Sequence, residues 1–206
     1  MLKQGPFNPG KNSSSLAKRG KGRFIKSPWI PLCERGKRRA DNNDSSFSNK
    51  PQKKWMELAL RSASQGIKKS EGGPFGAVIV RGGRAIAVAH NTVLKNKDAT
   101  CHAEVNAIRI ASQKLKRFDL SDCVIYSTTE PCPMCFSAIH WARIARVVFG
   151  TSIADVAKRG FNELSISGKK MKREGKSPVS LRVGFMRKEC LELLKAWDRN
   201  VDKRTY

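Results

Sequence analysis

Three short pieces of this chain carry residue types that can hold a metal ion and move a proton: His102-Ala103-Glu104, Pro131-Cys132 and Cys135. Two thiolates and one imidazole are good ligands for Zn²⁺, and three protein ligands leave a fourth position for water. Glu104, two residues beyond His102, is the candidate to take a proton from that water and hand it to a leaving group. His102 and the cysteine pair each fall at the predicted start of a helix. Free N–H groups and positive potential there favour thiolate over thiol. A Cys-x-x-Cys is also found as a redox pair or as half of a structural zinc site. A structural site wants a fourth ligand, for which Cys101 and Cys123 are available. A redox pair gives no reason for a His-x-Glu at a matching helix start. The expectation is an open, catalytic site with one Zn²⁺ per subunit. His90 and His140 read as packing or hydrogen-bonding residues, Cys33 and Cys190 as bystanders.

These residues need a scaffold. Trp55, Leu58, Ala59, Ala63 and Ile67 fall at helical spacing and predict an amphipathic helix over about 53–69. Gly72, Gly73 and Pro74 end it. Phe75 to Val80 reads as a buried strand, Gly82-Gly83 as a hairpin turn and Ala85 to Ala89 as the return strand. A helix over about 102–115, a strand at Asp122–Ser127, a helix over about 132–143 and a short strand at Ala145–Phe149 follow. Lys169 to Ser177 is basic and reads as a loop. Val179–Val183 is a candidate fifth strand, and Met186–Trp197 a final helix with Leu191, Leu194 and Trp197 on one face. Strands alternating with helices predict one α/β layered domain.

Residues 1–50 form a separate zone rich in Lys, Arg, Ser, Gly and Asn, whose first acidic residue is Glu34. Such a segment buries too little apolar surface to offset its chain entropy, so it reads as a disordered basic tail ahead of a domain at 51–206. A passive tail, a basic arm for nucleic acid, an organelle-targeting segment and a misassigned start site all fit it. The whole chain carries 41 Lys and Arg against 17 Asp and Glu, a net charge of +24, which favours contact with polyanions. No apolar stretch is long enough to cross a bilayer, and the N-terminus lacks a secretory apolar region. A soluble, cytoplasmic protein is expected.

The motifs resemble those of the cytidine deaminase-like superfamily, and most of all its guanine deaminase branch. The resemblance runs from about Lys50 to Tyr206. It rests on Gly73-Pro74-Phe75-Gly76-Ala77-Val78-Ile79-Val80, His102-Ala103-Glu104-Val105, Glu130-Pro131-Cys132-Pro133-Met134-Cys135 and Ala138-Ile139-His140-Trp141-Ala142-Arg143. Zinc nucleobase deaminases carry this signature. At branch level it rests on Asp155, on Gly160-Phe161 five residues later, and on Ala196-Trp197 with a terminal Tyr206. The resemblance implies a three-layer α-β-α fold around a central mixed five-stranded sheet. It implies that Asn91 bonds the base edge, Phe75 supplies a wall, the Ala103 backbone N–H contacts the ring, Trp141 closes the pocket, Asp155 recognises the N–H face of guanine and Tyr206 covers the site. Guanine presents N1–H and the 2-amino group as neighbouring donors, which one carboxylate accepts together. Asp155 also fits a cap role, and Phe75 and Trp141 also fit a plain core. The family's members are similar in forming homodimers, some with exchanged C-terminal segments. The chain departs from the family at Asp98-Ala99-Thr100-Cys101, where a proline is usual, and at Asn162-Glu163, where an acidic pair is usual; the latter weakens the expected substrate side.

Guanine hydrolysis to xanthine and ammonia is the expected activity on a small purine substrate. The rival is a tRNA adenosine deaminase making wobble inosine, favoured by the net charge and by Arg143-Ile144-Ala145-Arg146-Val147-Val148-Phe149-Gly150. A guanosine or other nucleoside deaminase is a nearer variant. A zinc-stabilised RNA-binding module without activity would carry a damaged ligand set, and this one is intact.

Overall fold

The computed structural model describes residues 50–201 and 203–206; the basic segment at 1–49 lies outside the described residues. The helices are α1 (Lys53–Lys68), α2 (Val93–Asn96), α3 (Ala103–Leu115), α4 (Pro133–Trp141), α5 (Ile153–Ala157), α6 (Gly168–Glu174) and α7 (Arg187–Asp198). The strands are β1 (Gly76–Arg81), β2 (Arg84–His90), β3 (Cys123–Thr129), β4 (Arg146–Thr151) and β5 (Ser180–Arg182). They form one mixed sheet in the order β2-β1-β3-β4-β5. β1 runs antiparallel to β2 and β3, while β3, β4 and β5 are parallel to one another.

The alternation of β1 explains the layers. Ala77 and Ile79 enter a core with Ala103, Ala107 and Ala111 of α3 and Phe136 and Ile139 of α4. Val78 and Val80 enter a second core with Met56 and Ala59 of α1 and Cys190 of α7. A strand buried on both faces has no polar alternation, which is why it reads as a continuous apolar run. The hairpin glycines take positive φ, +51° at Gly82 and +70° at Gly83, as a tight β1–β2 turn requires.

Three helices differ from the sequence expectation. α2 and α5 are single turns too short for a periodic signal. α6 lies where a basic loop is expected: Ser167 caps it by accepting from the Lys170 N–H at 3.2 Å, and Gly175 closes it. Its lysines and Arg173 stay outside the core and leave Met171 as its one large apolar residue, so no apolar stripe announces it.

α1 lies almost on β1. A Cβ added at Gly76 would stand 2.1 Å from the Ala59 carbonyl oxygen and 3.1 Å from the Ala63 methyl. That oxygen belongs to the helix backbone and cannot turn aside. Gly76→Ala is therefore expected to lower stability by about 1–3 kcal/mol, the usual cost of overpacking, read as a lower thermal unfolding midpoint.

Candidate active site

Each metal-ligand candidate sits at a helix start that its own side chain does not cap. His102 is the N-cap of α3 and Cys132 the N-cap of α4, both with extended backbone and neither with a side-chain cap bond. Pro133 occupies the first turn of α4, where its missing N–H costs nothing. One turn on, Cys135 is buried. The parallel β3 and β4 deliver α4 beside α3, so two uncapped, electropositive helix ends converge on one place.

The ligand atoms of His102, Cys132 and Cys135 all lie within 4.8 Å of one another. His102 Nδ1 is 3.6 Å from Cys132 Sγ and 3.5 Å from Cys135 Sγ. A tetrahedral zinc ion, with Zn–S about 2.3 Å and Zn–N about 2.05 Å, separates sulfur from nitrogen by about 3.6 Å. The side chains therefore already stand at zinc-binding spacing. No fourth protein ligand joins them among the described residues. Cys101 Sγ instead meets Asn96 Nδ2 at 3.3 Å and Asp98 Oδ2 at 3.3 Å, and Cys123 sits at the far end of β3, beside Asp122. Two nitrogen- or sulfur-bearing helix starts with one open position fit a catalytic ion rather than a closed structural one.

The electrostatics favour metal capture. The Cys135 thiol donates to the Cys132 sulfur, and His102 adds to this, lowering the Cys132 pKa to about 4. The same pairing, with burial, pushes the Cys135 thiol up. Burial favours a neutral His102, but the Cys132 sulfur reverses that and holds the imidazole above its ordinary range. Glu104 is 5% exposed. Its Oε1 accepts from Ser127 Oγ at 2.9 Å, and its Oε2 lies 3.5 Å from Cys135 Sγ. Burial first, and the Cys132 charge second, raise its pKa, as suits a group that must take up a proton.

Around this centre the structure gathers some expected residues and omits others. Ala103 is fully buried at the first turn of α3. Asn91 is fully buried; its Oδ1 accepts from the Val93 N–H at 3.1 Å, and its Nδ2 makes no well-formed hydrogen bond. Phe75 packs edge-on against Phe161, with ring centroids 5.1 Å apart. Tyr206 packs edge-on against the same Phe161 at 5.7 Å, and its hydroxyl accepts from the Gly73 N–H at 3.2 Å. Burial pushes the Tyr206 phenol well up, against the pull of the Gly73 N–H and the Asn91 amide.

Asp155 and Trp141 do not join the site. Asp155 forms a capping box with Ser152 at the start of α5, and its carboxylate accepts from Ser152 N at 2.9 Å and from Arg187 Nη2 at 2.8 Å. Burial pushes its pKa up, but these partners hold it below the ordinary range. Trp141 is 77% exposed at the far end of α4, against His140. The α4 axis advances about 1.5 Å per residue, which carries it away from Cys132.

The further carboxylate coupled electrostatically to the centre is Glu163. It is partly buried, and burial first and the Cys132 charge second raise its pKa, with His102 opposing. In the sequence, Asn162-Glu163 stands where an acidic pair is usual and weakens the resemblance. The usable signal was its position directly after Gly160-Phe161, because Phe161 anchors the segment in the aromatic cluster with Phe75 and Tyr206.

A family model described as the cytidine and deoxycytidylate deaminase zinc-binding region matches residues 49–151. The chain is 37% identical over 155 residues to a guanine deaminase of Bacillus subtilis (strain 168), covering 74% of this chain and 97% of the relative. It is 35% identical over 147 residues to a tRNA-specific adenosine deaminase of Buchnera aphidicola subsp. Schizaphis graminum, covering 71% and 93%. The solved structure of a guanine deaminase from Nitrosomonas europaea superposes with a TM-score of 0.67 at 27% identity, covering 74% of this chain and 90% of that one. With the His102, Cys132 and Cys135 cluster in place, the chain belongs to the cytidine and deoxycytidylate deaminase zinc-binding family and is a zinc-dependent nucleobase deaminase.

Proposed function

We propose that the substrate is free guanine, hydrolysed with water to xanthine and ammonia. The observation that carries this reading is the second carboxylate, Glu163, whose charge acts on His102, Cys132 and Glu104. One carboxylate accepts from the neighbouring N1–H and 2-amino donors of guanine; adenine offers no such pair. The similarity to a guanine deaminase over most of both chains supports it.

Zinc, when bound, lowers the pKa of a coordinated water toward neutrality and stabilises negative charge on the attacked centre. The chain's own residues do the rest. Phe75 and Phe161 give the purine an apolar wall. The Asn91 amide and the Ala103 N–H supply donors to the base edge, and Glu163 accepts from its N–H face. Tyr206 covers the cluster and excludes water. Glu104 takes the water's proton on its carboxylate and returns it to the departing amine, with Ser127 holding its other oxygen.

Purified protein is expected to release ammonia from guanine. Glu163→Gln keeps the shape but loses the charge. It is expected to lower kcat/KM for guanine about ten- to a hundredfold, the worth of charge-assisted hydrogen bonds. Turnover of adenine or cytosine but not guanine would overturn the substrate assignment.

A second reading, deamination of adenosine in tRNA, is favoured by α6. Its first residue donates, Gly168 N to Glu130 Oε1 at 2.9 Å, two residues before Cys132, so the helix that carries three lysines and Arg173 starts beside the site. Phosphate contacts by such residues would make binding steeply salt-dependent. Inosine formation in tRNA, with no turnover of free guanine, would establish it.

A further inference from the structure

His90 is the last residue of β2, and its ring turns to α1 and to the loop that follows α1. Its Nδ1 pairs with Ser62 Oγ of α1 at 3.2 Å, and its Nε2 with Glu71 Oε2 at 2.6 Å. The ring lies so close to α1 that a Cβ at Gly66 would meet its Cδ2 at 2.5 Å. Glu71 holds more than the ring. Its Oε1 accepts from Lys95 Nζ at 2.9 Å, its carbonyl accepts from the Lys95 N–H at 3.0 Å, and its own N–H donates to the Gly66 carbonyl at 3.0 Å. The His90 side chain is 19% exposed and that of Glu71 14%. His90 and then Lys95 hold the Glu71 carboxyl below its ordinary range.

The residue after His90 is Asn91, and the residue after Glu71 is Gly72. These two touch: a Cβ at Gly72 would stand 2.2 Å from Asn91 Oδ1 and 2.6 Å from its carbonyl oxygen. The Asn91 N–H donates to the Phe75 carbonyl at 3.0 Å. The His90 carbonyl accepts from Asn106 Nδ2 at 3.0 Å, and the same amide reaches Thr92 Oγ1 at 2.9 Å. Two loops thus meet at Asn91, and each is pinned one residue away by the His90–Glu71 pair.

We propose that His90 and Glu71 form a clamp that positions the Asn91 amide against the base, making both positioning residues for deamination. This rests on the reading of Asn91 as a substrate contact. Removing either partner frees the two loops to separate. The buried carboxamide then loses its orientation while the zinc ligands, on α3 and α4, keep theirs. Hydrogen-bond geometry of this kind is sensitive to displacements well under a residue's width.

The test uses the zinc-loaded full chain and free guanine. His90→Ala is expected to raise KM and lower kcat/KM on the order of ten- to a hundredfold, with zinc content unchanged. His90→Gln, which restores a donor toward Glu71, is expected to recover most of the loss. The discriminating measurement is a double-mutant cycle: in an Asn91→Ala background, His90→Ala is expected to cost nothing further in kcat/KM. Glu71→Gln, a milder change near the surface, repeats the cycle if His90→Ala does not fold. Equal losses with and without Asn91, or a fall in melting temperature with kinetic constants unchanged, would overturn the clamp. An inactive parent would overturn the guanine reading instead, and a loss of zinc in His90→Ala would assign the residue to the metal site.

Discussion

Glu104→Gln is expected to yield a folded protein that binds one zinc ion per chain and releases ammonia about 10²- to 10⁴-fold more slowly, the range for losing a general acid–base group. The residue is buried, so the outcome depends on what glutamine can still do. Its carbonyl accepts from Ser127 Oγ as the carboxylate Oε1 does. Its amide can stand where Oε2 meets Cys135. What it cannot do is take up a proton. Burial and the neighbouring Cys132 raise the Glu104 pKa, which brings the carboxyl closer to working pH and makes both halves of the transfer accessible. Ammonia release within tenfold of the parent, at full zinc content, would remove Glu104 from the chemistry.

Stripping the metal is expected to abolish turnover entirely and to lower the thermal midpoint, because metal binding free energy is also folding free energy. Reloading has a pH signature. In the metal-free protein Cys132, with a pKa of about 4, is already a thiolate at neutral pH, whereas Cys135 is held as a thiol. Zinc uptake must displace that proton and the proton of any charged His102, whose pKa is raised. Affinity therefore falls as pH is lowered through the neutral range, by roughly tenfold per unit for each proton released. Chelator competition at two pH values, with proton release followed in weak buffer, measures this. A pH-independent zinc affinity would mean that both sulfurs are ionised and His102 is neutral before the metal arrives. Cys132→Ala and Cys135→Ala are each expected to lose both zinc and activity.

The legible parts of the molecule were those written in short-range signals. Gly82-Gly83 marked its turn because only positive φ closes it. The zinc ligands were legible because their residue types have little other use at two helix starts. α6 was not, because seven mostly basic residues capped by Ser167 show no apolar period. Asp155 misled for a physical reason: an acid three residues after a serine serves a capping box as readily as a substrate. Trp141 rested on the resemblance alone, and it stands exposed at the end of α4 opposite Cys132. Glu163 escaped because its value comes from Phe161 folding back onto Phe75 and Tyr206, a long-range contact that no local pattern carries.

The sheet's two outer strands have a bearing on handling the protein at high concentration. An unprotected strand edge invites pairing with another molecule. On one side β5 is only three residues long, ends on Arg182, and is followed by Gly184 at φ +74°. On the other, Lys114 Nζ occupies the Ile86 carbonyl of β2 at 2.9 Å, and Arg84 stands exposed at the strand's start. The β5 margin is too short to serve as a template, and the seven-residue β2 margin is broken by the bulge at Ile86 and its lysine, which disfavours edge-to-edge pairing through this sheet.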